Sequence, residues 1–228
     1  MKLFPAIVTL HLLGGLLLLV LLAVQVDAQG RALDGGAPKV ELDRLTRVGL
    51  IATSVLLAVQ LGLGGWVSTN YAVLACTDFP ACQGSWWPEM RFDQGFQIWR
   101  ELGMTAGGEH LSFAALTAIH YVHRLMAYVV LLALGLLAWR LSRFDGLRKL
   151  ARSIAALATL QLVTGLSNVV LDWPLPAALL HTAGAAAMVL CLTWTICASR
   201  SAACTPVADN KRPSAAVDNS ARSATGAA

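Results

Sequence analysis

Five long apolar stretches constrain this chain more than any other feature of its sequence. They lie at residues 4–25, 48–68, 112–138, 150–171 and 176–198. A helix crosses the hydrocarbon core of a bilayer with about 20 consecutive apolar residues, so each stretch is long enough for one span. Only 13% of the residues are charged, against about 25% in soluble domains. We therefore predict an all-α polytopic membrane protein with five transmembrane helices, and we exclude a water-soluble globule.

The basic residues predict how this chain is oriented in the membrane. They cluster between the first and second helices, between the third and fourth, and after the fifth. The positive-inside rule places these segments in the cytoplasm. The loop 69–111 holds more acidic than basic residues, so we place it outside together with the N-terminus. We expect a bacterial-type inner membrane protein that contacts lipids. The net charge of +4 then reflects topology, and nucleic-acid binding is excluded.

Four segments follow from this arrangement. They are a first transmembrane helix (1–25), a cytoplasmic linker (26–47), a four-helix bundle with the loop 69–111 (48–198) and a disordered cytoplasmic tail rich in Ala, Ser, Asp and Asn (199–228). An alternative stays open for the first segment. Lys2 followed by an apolar run ending in Val26-Asp27-Ala28 also resembles a cleaved signal peptide.

Two cysteines lie in the loop that we place outside, where oxidation is permitted. Pro80 lies between Cys76 and Cys82 and can bend the chain back, so we predict a disulfide between them. Its role stays open between a structural cross-link and a redox couple. Several aromatic residues follow, and we predict a short interfacial helix at 89–102, either a membrane anchor or a lid over a site below.

Ionisable residues are rare inside the five apolar stretches. They are His11 in the first helix, the cluster His120, His123 and Arg124 in the third, and His181 in the fifth. Polar groups are costly inside a membrane, so these side chains are candidates for function. The alternative is that each histidine only forms a hydrogen bond to a neighbouring helix.

The predicted depth of these histidines indicates one kind of site. His11, His123 and His181 all fall in the outer half of the membrane, where two facing imidazoles can ligate a haem iron. Arg124 is then a candidate partner for a haem propionate. His120 lies three residues before His123, so it also faces the interior as a hydrogen-bonding or proton-active neighbour. A zinc or copper site is disfavoured, because no Asp, Glu or Cys falls at that depth.

A short internal similarity links the first and fifth helices. His11 and His181 are each followed three residues later by glycine, at Gly14 and Gly184. This pattern is typical of a worn repeat. It predicts that the first helix is the last of an earlier four-helix unit.

Several segments together resemble one known family, the haem A synthases. The chain is similar to the fourth helix and the C-terminal four-helix half of an eight-helix member. The segments that carry this resemblance are Leu-Gly-Gly-Trp-Val-Ser-Thr-Asn (62–69), the loop from Cys76 to Trp87, Ile-His-Tyr-Val-His-Arg-Leu (119–125), Gly-Leu-Ser-Asn-Val-Val-Leu (165–171), and His181 with Gly184.

The resemblance implies a function and assigns roles to particular residues. Members of the family oxidise the methyl group of haem O to the formyl group of haem A for cytochrome oxidase assembly. By resemblance, His123 and His181 are the axial ligands of a haem b, and His11 matches a ligand of a second, substrate-binding haem. Cys76 and Cys82 match a cysteine pair of the family. The implied partners are haem O synthase and the cytochrome oxidase assembly machinery.

The sequence also departs from the family pattern. Members carry a Glu-x-x-His-Arg helix in the N-terminal half, whereas His120 occupies the glutamate position before His123 here. The catalytic residues are therefore unknown. The chain is interpreted as a truncated reading frame, as one half that works with a separate N-terminal half, or as a homo-oligomer. A non-catalytic membrane b-type cytochrome, a haem carrier and a structural assembly subunit are the alternative functions.

Overall fold

The structure, a computed structural model, describes residues 3–34 and 38–201. Within these residues, five helices are long and apolar enough to cross a membrane. In chain order the helices are α1 (Pro5–Asp34), α2 (Arg44–Thr69), the short α3 (Phe92–Gly95), α4 (Phe113–Leu141), α5 (Arg148–Val170) and α6 (Leu175–Cys197). Two 3₁₀ helices cover Ala72–Ala75 and Asp145–Leu147. The predicted five-helix membrane architecture is confirmed.

Four of the long helices form a closed bundle. Helix α2 packs on α4, α4 on α5, α5 on α6, and α6 returns to α2. Helix α1 lies outside this ring, against α2 and α6. Its most apolar window is 11% buried, compared with 22% to 28% for the other four. The four-helix bundle therefore consists of α2, α4, α5 and α6, and α1 is peripheral.

The two ends of the bundle differ in structure. At one end, which we call the strand end, β1 (Val40–Leu42) pairs in parallel with β2 (Ser199–Ser201), and Val40 lies opposite Ser199. The other end, the loop end, carries the segment 70–112 between α2 and α4. The backbone N–H of Leu102 donates to the Leu3 carbonyl at 2.9 Å, so the start of α1 lies at the loop end.

The predicted linker and tail are more ordered than expected. Helix α1 continues to Asp34, so the flexible loop predicted from residue 26 is helical over its first part. Arg31 explains the extension, because its Nε donates to Asp27 at 2.7 Å and its Nη2 donates to the Cys197 carbonyl at 3.2 Å. The predicted disordered tail begins with β2. The rest of that tail, 202–228, lies outside the described residues.

The strand-end half of the bundle, which we call the packed half, is filled by large apolar side chains. Fully or almost fully buried members of this core are Leu42, Leu50, Leu134, Leu141, Leu147, Ile154, Met188 and Leu192. The carboxylate of Asp43 caps α2 by accepting from the Thr46 N–H at 3.2 Å. Large side chains from all four helices thus interlock at this end.

The interfacial helix predicted at 89–102 is wrong in length. Only Phe92–Gly95 is helical, and the remainder forms turns. A Cβ atom on Gly95 would lie 2.8 Å from the Ala115 carbonyl oxygen, so the chain passes α4 too closely for a longer helix to continue there. Arg100 is only 2% exposed and donates to Asn70 Oδ1 at 2.6 Å. These contacts fix the segment as an irregular cap on the bundle.

Candidate functional site

The loop-end half of the bundle contains a cavity of about 740 Å³. Ligand pockets in proteins commonly measure about 300–1,000 Å³. Its wall is built mostly from Leu, Val, Gly and Ala residues. The ionisable side chains that also line it are His11, His120, His123, Arg124, His181 and two tyrosines. We call this space the histidine cavity. The structure thus brings every histidine and the arginine predicted for the site onto one surface.

His123 projects from α4 against α2. The amide nitrogen of Gln60 lies 3.1 Å from His123 Nδ1 and donates to the His123 backbone carbonyl at 3.2 Å. The other amide atom, Gln60 Oε1, is buried and has no hydrogen-bond partner among the described residues. One turn further along α2, a Cβ atom on Gly64 would lie 3.1 Å from His123 Cε1. The absence of a side chain at Gly64 therefore makes room for the imidazole.

His181 projects from α6 against α5 in a comparable setting. Its Nδ1 lies 3.0 Å from the hydroxyl oxygen of Thr164. The amide nitrogen of Gln161 donates to the His181 backbone carbonyl at 3.0 Å. A Cβ atom on Gly165 would lie 3.2 Å from His181 Cε1. A glycine again makes room for the ring.

The two histidines therefore occupy related environments in two helix pairs. Residues 60–64 of α2 and 161–165 of α5 both read Gln-Leu-x-x-Gly. In each pair the glutamine bonds the backbone carbonyl of the histidine, and the glycine lies beside its ring. The sequence indicated Gly165 as a small residue that leaves room near His181, but the two glutamines and Thr164 were missed because they are not ionisable. The available signal was a glutamine inside each of two apolar helices, followed four residues later by glycine.

His120 is held by the loop end. Its Nδ1 lies 3.0 Å from the Ala72 carbonyl oxygen in the first 3₁₀ helix. A carbonyl can only accept, so Nδ1 carries the hydrogen and Nε2 of the neutral ring is the acceptor nitrogen. The side chain is 5% exposed and lines the histidine cavity. His120 thus ties the loop to α4, and its role as a neighbour of an iron-binding His123 stays a prediction.

The predicted disulfide between Cys76 and Cys82 is present, with the two Cα atoms 4.8 Å apart. Arg124 connects this loop to the cavity. Its guanidinium donates to the backbone carbonyls of Asp78 at 3.1 Å, Ala81 at 2.8 Å and Cys76 at 3.4 Å. Much of its donor capacity is therefore used by the loop. The propionate contact stays a prediction.

Asp78 closes the same loop from the other side. Its carboxylate accepts from the backbone N–H groups of Gln83 at 2.6 Å and Gly84 at 2.9 Å. Both of these residues have a positive φ, at 55° and 70°. The bonds from Gly84 and Gln83 lower the pKa of Asp78, because they stabilise its charged form. Hydrogen bonds between the loop backbone and the side chains of Arg124 and Asp78 thus hold the disulfide loop in place.

His11 reaches the cavity from the peripheral helix α1. Its side chain is exposed, and it lines the cavity wall beside Leu12 and Gly15. Its predicted role as a ligand of a second haem stays a prediction. Within the described residues, no group of three or more His, Cys, Asp or Glu side chains is arranged to hold a metal ion.

Two comparisons identify relatives of this chain. Residues 1–193 match the COX15-CtaA family, described as cytochrome oxidase assembly protein. The chain is also 36% identical over 200 residues to the Heme A synthase of Shewanella oneidensis, which covers 84% of this chain. This chain spans 58% of the length of that relative. No solved structure matches the chain. The chain belongs to the COX15-CtaA family of cytochrome oxidase assembly proteins.

Proposed function

We propose that this chain forms the haem b-binding bundle of a haem A synthase and takes part in oxidising the methyl group of haem O to the formyl group of haem A. One observation carries the proposal. His123 and His181 come from different helix pairs, each lies beside a glycine, and both line one largely apolar cavity. Two such imidazoles are the ligand set of a bis-histidine haem.

The residues of the cavity fit a haem group. Gly64 and Gly165 leave space at the ring edges, where a Cβ atom would contact each imidazole. Gln60 Oε1 is a buried acceptor without a partner in the described chain. The cavity therefore offers a hydrogen-bond acceptor that the described residues do not use. His123 and His181 would hold the iron, with His120 beside them.

A bound haem would supply one-electron redox chemistry at its iron. The protein's own residues bind and orient it. The cavity wall is largely apolar, and the two glutamines bond the backbone carbonyls of the histidines on α4 and α6. Arg124 holds the disulfide loop across the loop end, next to His123. No residue of the chain is assigned a catalytic role here.

The substrate haem, the partners and the topology belong to the same proposal. His11 lines the cavity from α1 and would be a ligand of a second haem, with haem O as substrate and haem A as product. A separate N-terminal half or a second copy of the chain would complete that site. We propose that the loop end faces outward, with the N-terminus outside and the C-terminus cytoplasmic. Reporter fusions after α1 and α6 test this orientation.

A membrane b-type cytochrome or haem carrier is the second candidate. The ionisable groups lining the cavity in the described structure are histidines, tyrosines and an arginine. This set suits iron ligation and the binding of haem propionates. Both candidate functions require a haem held in this way. The two candidates therefore share the same haem-binding site and differ in whether the protein oxidises haem O.

An absorption spectrum of the detergent-purified chain tests the proposal first. We expect a bis-histidine b-type spectrum, oxidised and dithionite-reduced, that disappears in a His123→Ala/His181→Ala double variant. A colourless wild-type protein would contradict haem binding. Conversion of haem O in a strain lacking its own synthase, followed by chromatography of the extracted haems, then separates the synthase from the cytochrome or carrier.

A further inference from the structure

We propose that Gln60 and Thr164 are positioning residues that hold the Nδ1–H of the two axial histidines, so that Nε2 of each ring is the nitrogen that binds iron. Gln60 would act on His123, and Thr164 acts on His181. The inference rests on the proposed haem function and deepens it. It concerns two neutral side chains and assigns them a role at the imidazole rings themselves.

The hydrogen bonds of Thr164 fix the tautomer of His181. The Thr164 hydroxyl has one hydrogen, which it donates to the Leu160 carbonyl at 2.7 Å. Towards His181 Nδ1, 3.0 Å away, its oxygen is therefore the acceptor. Nδ1 then carries the ring hydrogen, and Nε2 keeps a bare lone pair. That is the form of histidine that binds a metal, and it is already set in this structure.

Gln60 holds His123 differently. Its amide nitrogen lies 3.1 Å from Nδ1 and 3.5 Å from Nε2 of His123, while Oε1 is buried without a partner in the described chain. A ring that ligates iron through Nε2 carries its hydrogen on Nδ1 and needs an acceptor there. A half-turn of the carboxamide exchanges its two terminal atoms and gives Nδ1–H the unused Oε1, in exchange for the bond that the amide nitrogen donates to the His123 carbonyl. The orphaned oxygen is therefore the acceptor that the ligated ring requires.

The two ligands are thus unequal. His181 has its hydrogen-bond acceptor before haem binds, whereas His123 gains one only when the Gln60 amide rotates. Removing a hydrogen-bond partner of a metal-ligating histidine commonly lowers metal affinity about 10–100-fold. It also makes Nε2 less basic, which weakens its bond to the ferric iron and raises the midpoint potential of the haem.

The test is haem titration and potentiometry on the full-length chain in detergent. We expect Gln60→Leu and Thr164→Val each to lower haem affinity about 10–100-fold, and to raise the midpoint potential of what remains bound. Thr164→Ser keeps the hydroxyl and should restore both values. Gln60→Glu offers a stronger acceptor, so it should retain haem and lower the midpoint potential below that of the wild type.

Thr159→Val is the matched control. Thr159 also lies on α5 and donates to a carbonyl four residues earlier, Ala155 at 3.0 Å, but its side chain is exposed. It should change neither haem affinity nor potential. Wild-type spectra with unchanged affinity and potential in the Gln60 and Thr164 variants would overturn this inference alone. Equal effects of Thr159→Val and Thr164→Val would also overturn it, because the change would then follow from helix packing. A colourless wild type would overturn the proposed function itself.

Discussion

The packed half and the histidine cavity share the same four helices, with α1 also lining the cavity, yet one is filled by side chains and the other encloses space. At the strand end, Leu141 and Ile154 are fully buried and fill the space between helices. At the loop end, Gly64 and Gly165 occupy positions of α2 and α5 beside the cavity. Gly64 and Gly165 contribute no side-chain volume there, and imidazole rings form part of the cavity wall.

The difference teaches how a membrane bundle can be stable and still hold a cavity. Lipid tails are as apolar as leucine, so helix association depends on close packing. The packed half supplies that packing. The loop end adds hydrogen bonds that Arg100 and Arg124 donate and that the Asp78 carboxylate accepts. The cavity lies between these two fixed regions. Changes in each region should therefore affect different measurements.

The largest expected effect comes from filling the cavity. In Gly64→Leu, the new side chain begins 3.1 Å from His123 Cε1 and extends into the space beside the ring. We expect bound haem per protein to fall close to zero, measured by the reduced-minus-oxidised spectrum. Gly135→Leu on α4 is the control, because a Cβ atom there meets nothing within 4 Å. Equal haem content in both variants would contradict the position of the site.

The next effect comes from the opposite half. Leu141→Ala should lower the free energy of unfolding by about 2 kcal/mol, the low end of the range for such truncations, because burial from lipid contributes little and the lost packing dominates. The measurement is unfolding by denaturing detergent, followed by circular dichroism. Haem stoichiometry at low denaturant should stay that of the wild type. Leu132→Ala, at a position 65% exposed, should leave stability unchanged.

A smaller effect is expected where the loop meets α2. Arg100→Met removes the donor to Asn70 Oδ1 and the contact with the Trp66 ring, whose centroid lies 5.6 Å from the guanidinium carbon. We expect the free energy of unfolding to fall by about 1–2 kcal/mol, because the buried Asn70 Oδ1 is left without a donor. Faster proteolysis within 70–112 measures this loosening. Arg91→Ala, which breaks an exposed ion pair with Asp93, should be cleaved by the protease at the wild-type rate.

The smallest effect concerns pH at the disulfide loop. Asp78 has a lowered pKa, so its stabilisation is fully present above the ordinary Asp value of about 3.9 and is lost as pH falls through the depressed pKa. Asp78→Asn should therefore speed phosphine reduction of the disulfide a few-fold at pH 7. The difference should shrink at pH values below the depressed pKa. A difference that persists unchanged at acid pH would show that the carboxylate charge is not responsible.

Much of the fold follows from local patterns. The five apolar stretches predict the five long helices, because span length depends only on consecutive apolar residues. The limits of α1 were missed, since residues 26–34 are polar and glycine-containing, and their helix depends on the Arg31 bond to the distant Cys197 carbonyl. The loop helix was overestimated for a related reason. Its end is set by the approach of Gly95 to Ala115 on another helix.

The site was predicted in part. His120, His123 and His181 stand out because charged or titratable groups are rare in membrane helices. Gln60 and Thr164 do not stand out, since neutral polar residues are common in helices and their importance depends on what lies opposite. The engagement of Arg124 by the disulfide loop also depends on a contact between residues more than 40 positions apart.

By itself, the sequence determined that the chain crosses a membrane five times, that Cys76 and Cys82 can pair, and that histidines lie inside the helices. Each of these depends on local composition, spacing or the cost of a buried polar group. Only the tertiary structure decided which half of the bundle is packed. It also decided which side chains face each imidazole. These depend on side-chain volumes and hydrogen bonds between distant segments, and no local pattern encodes them.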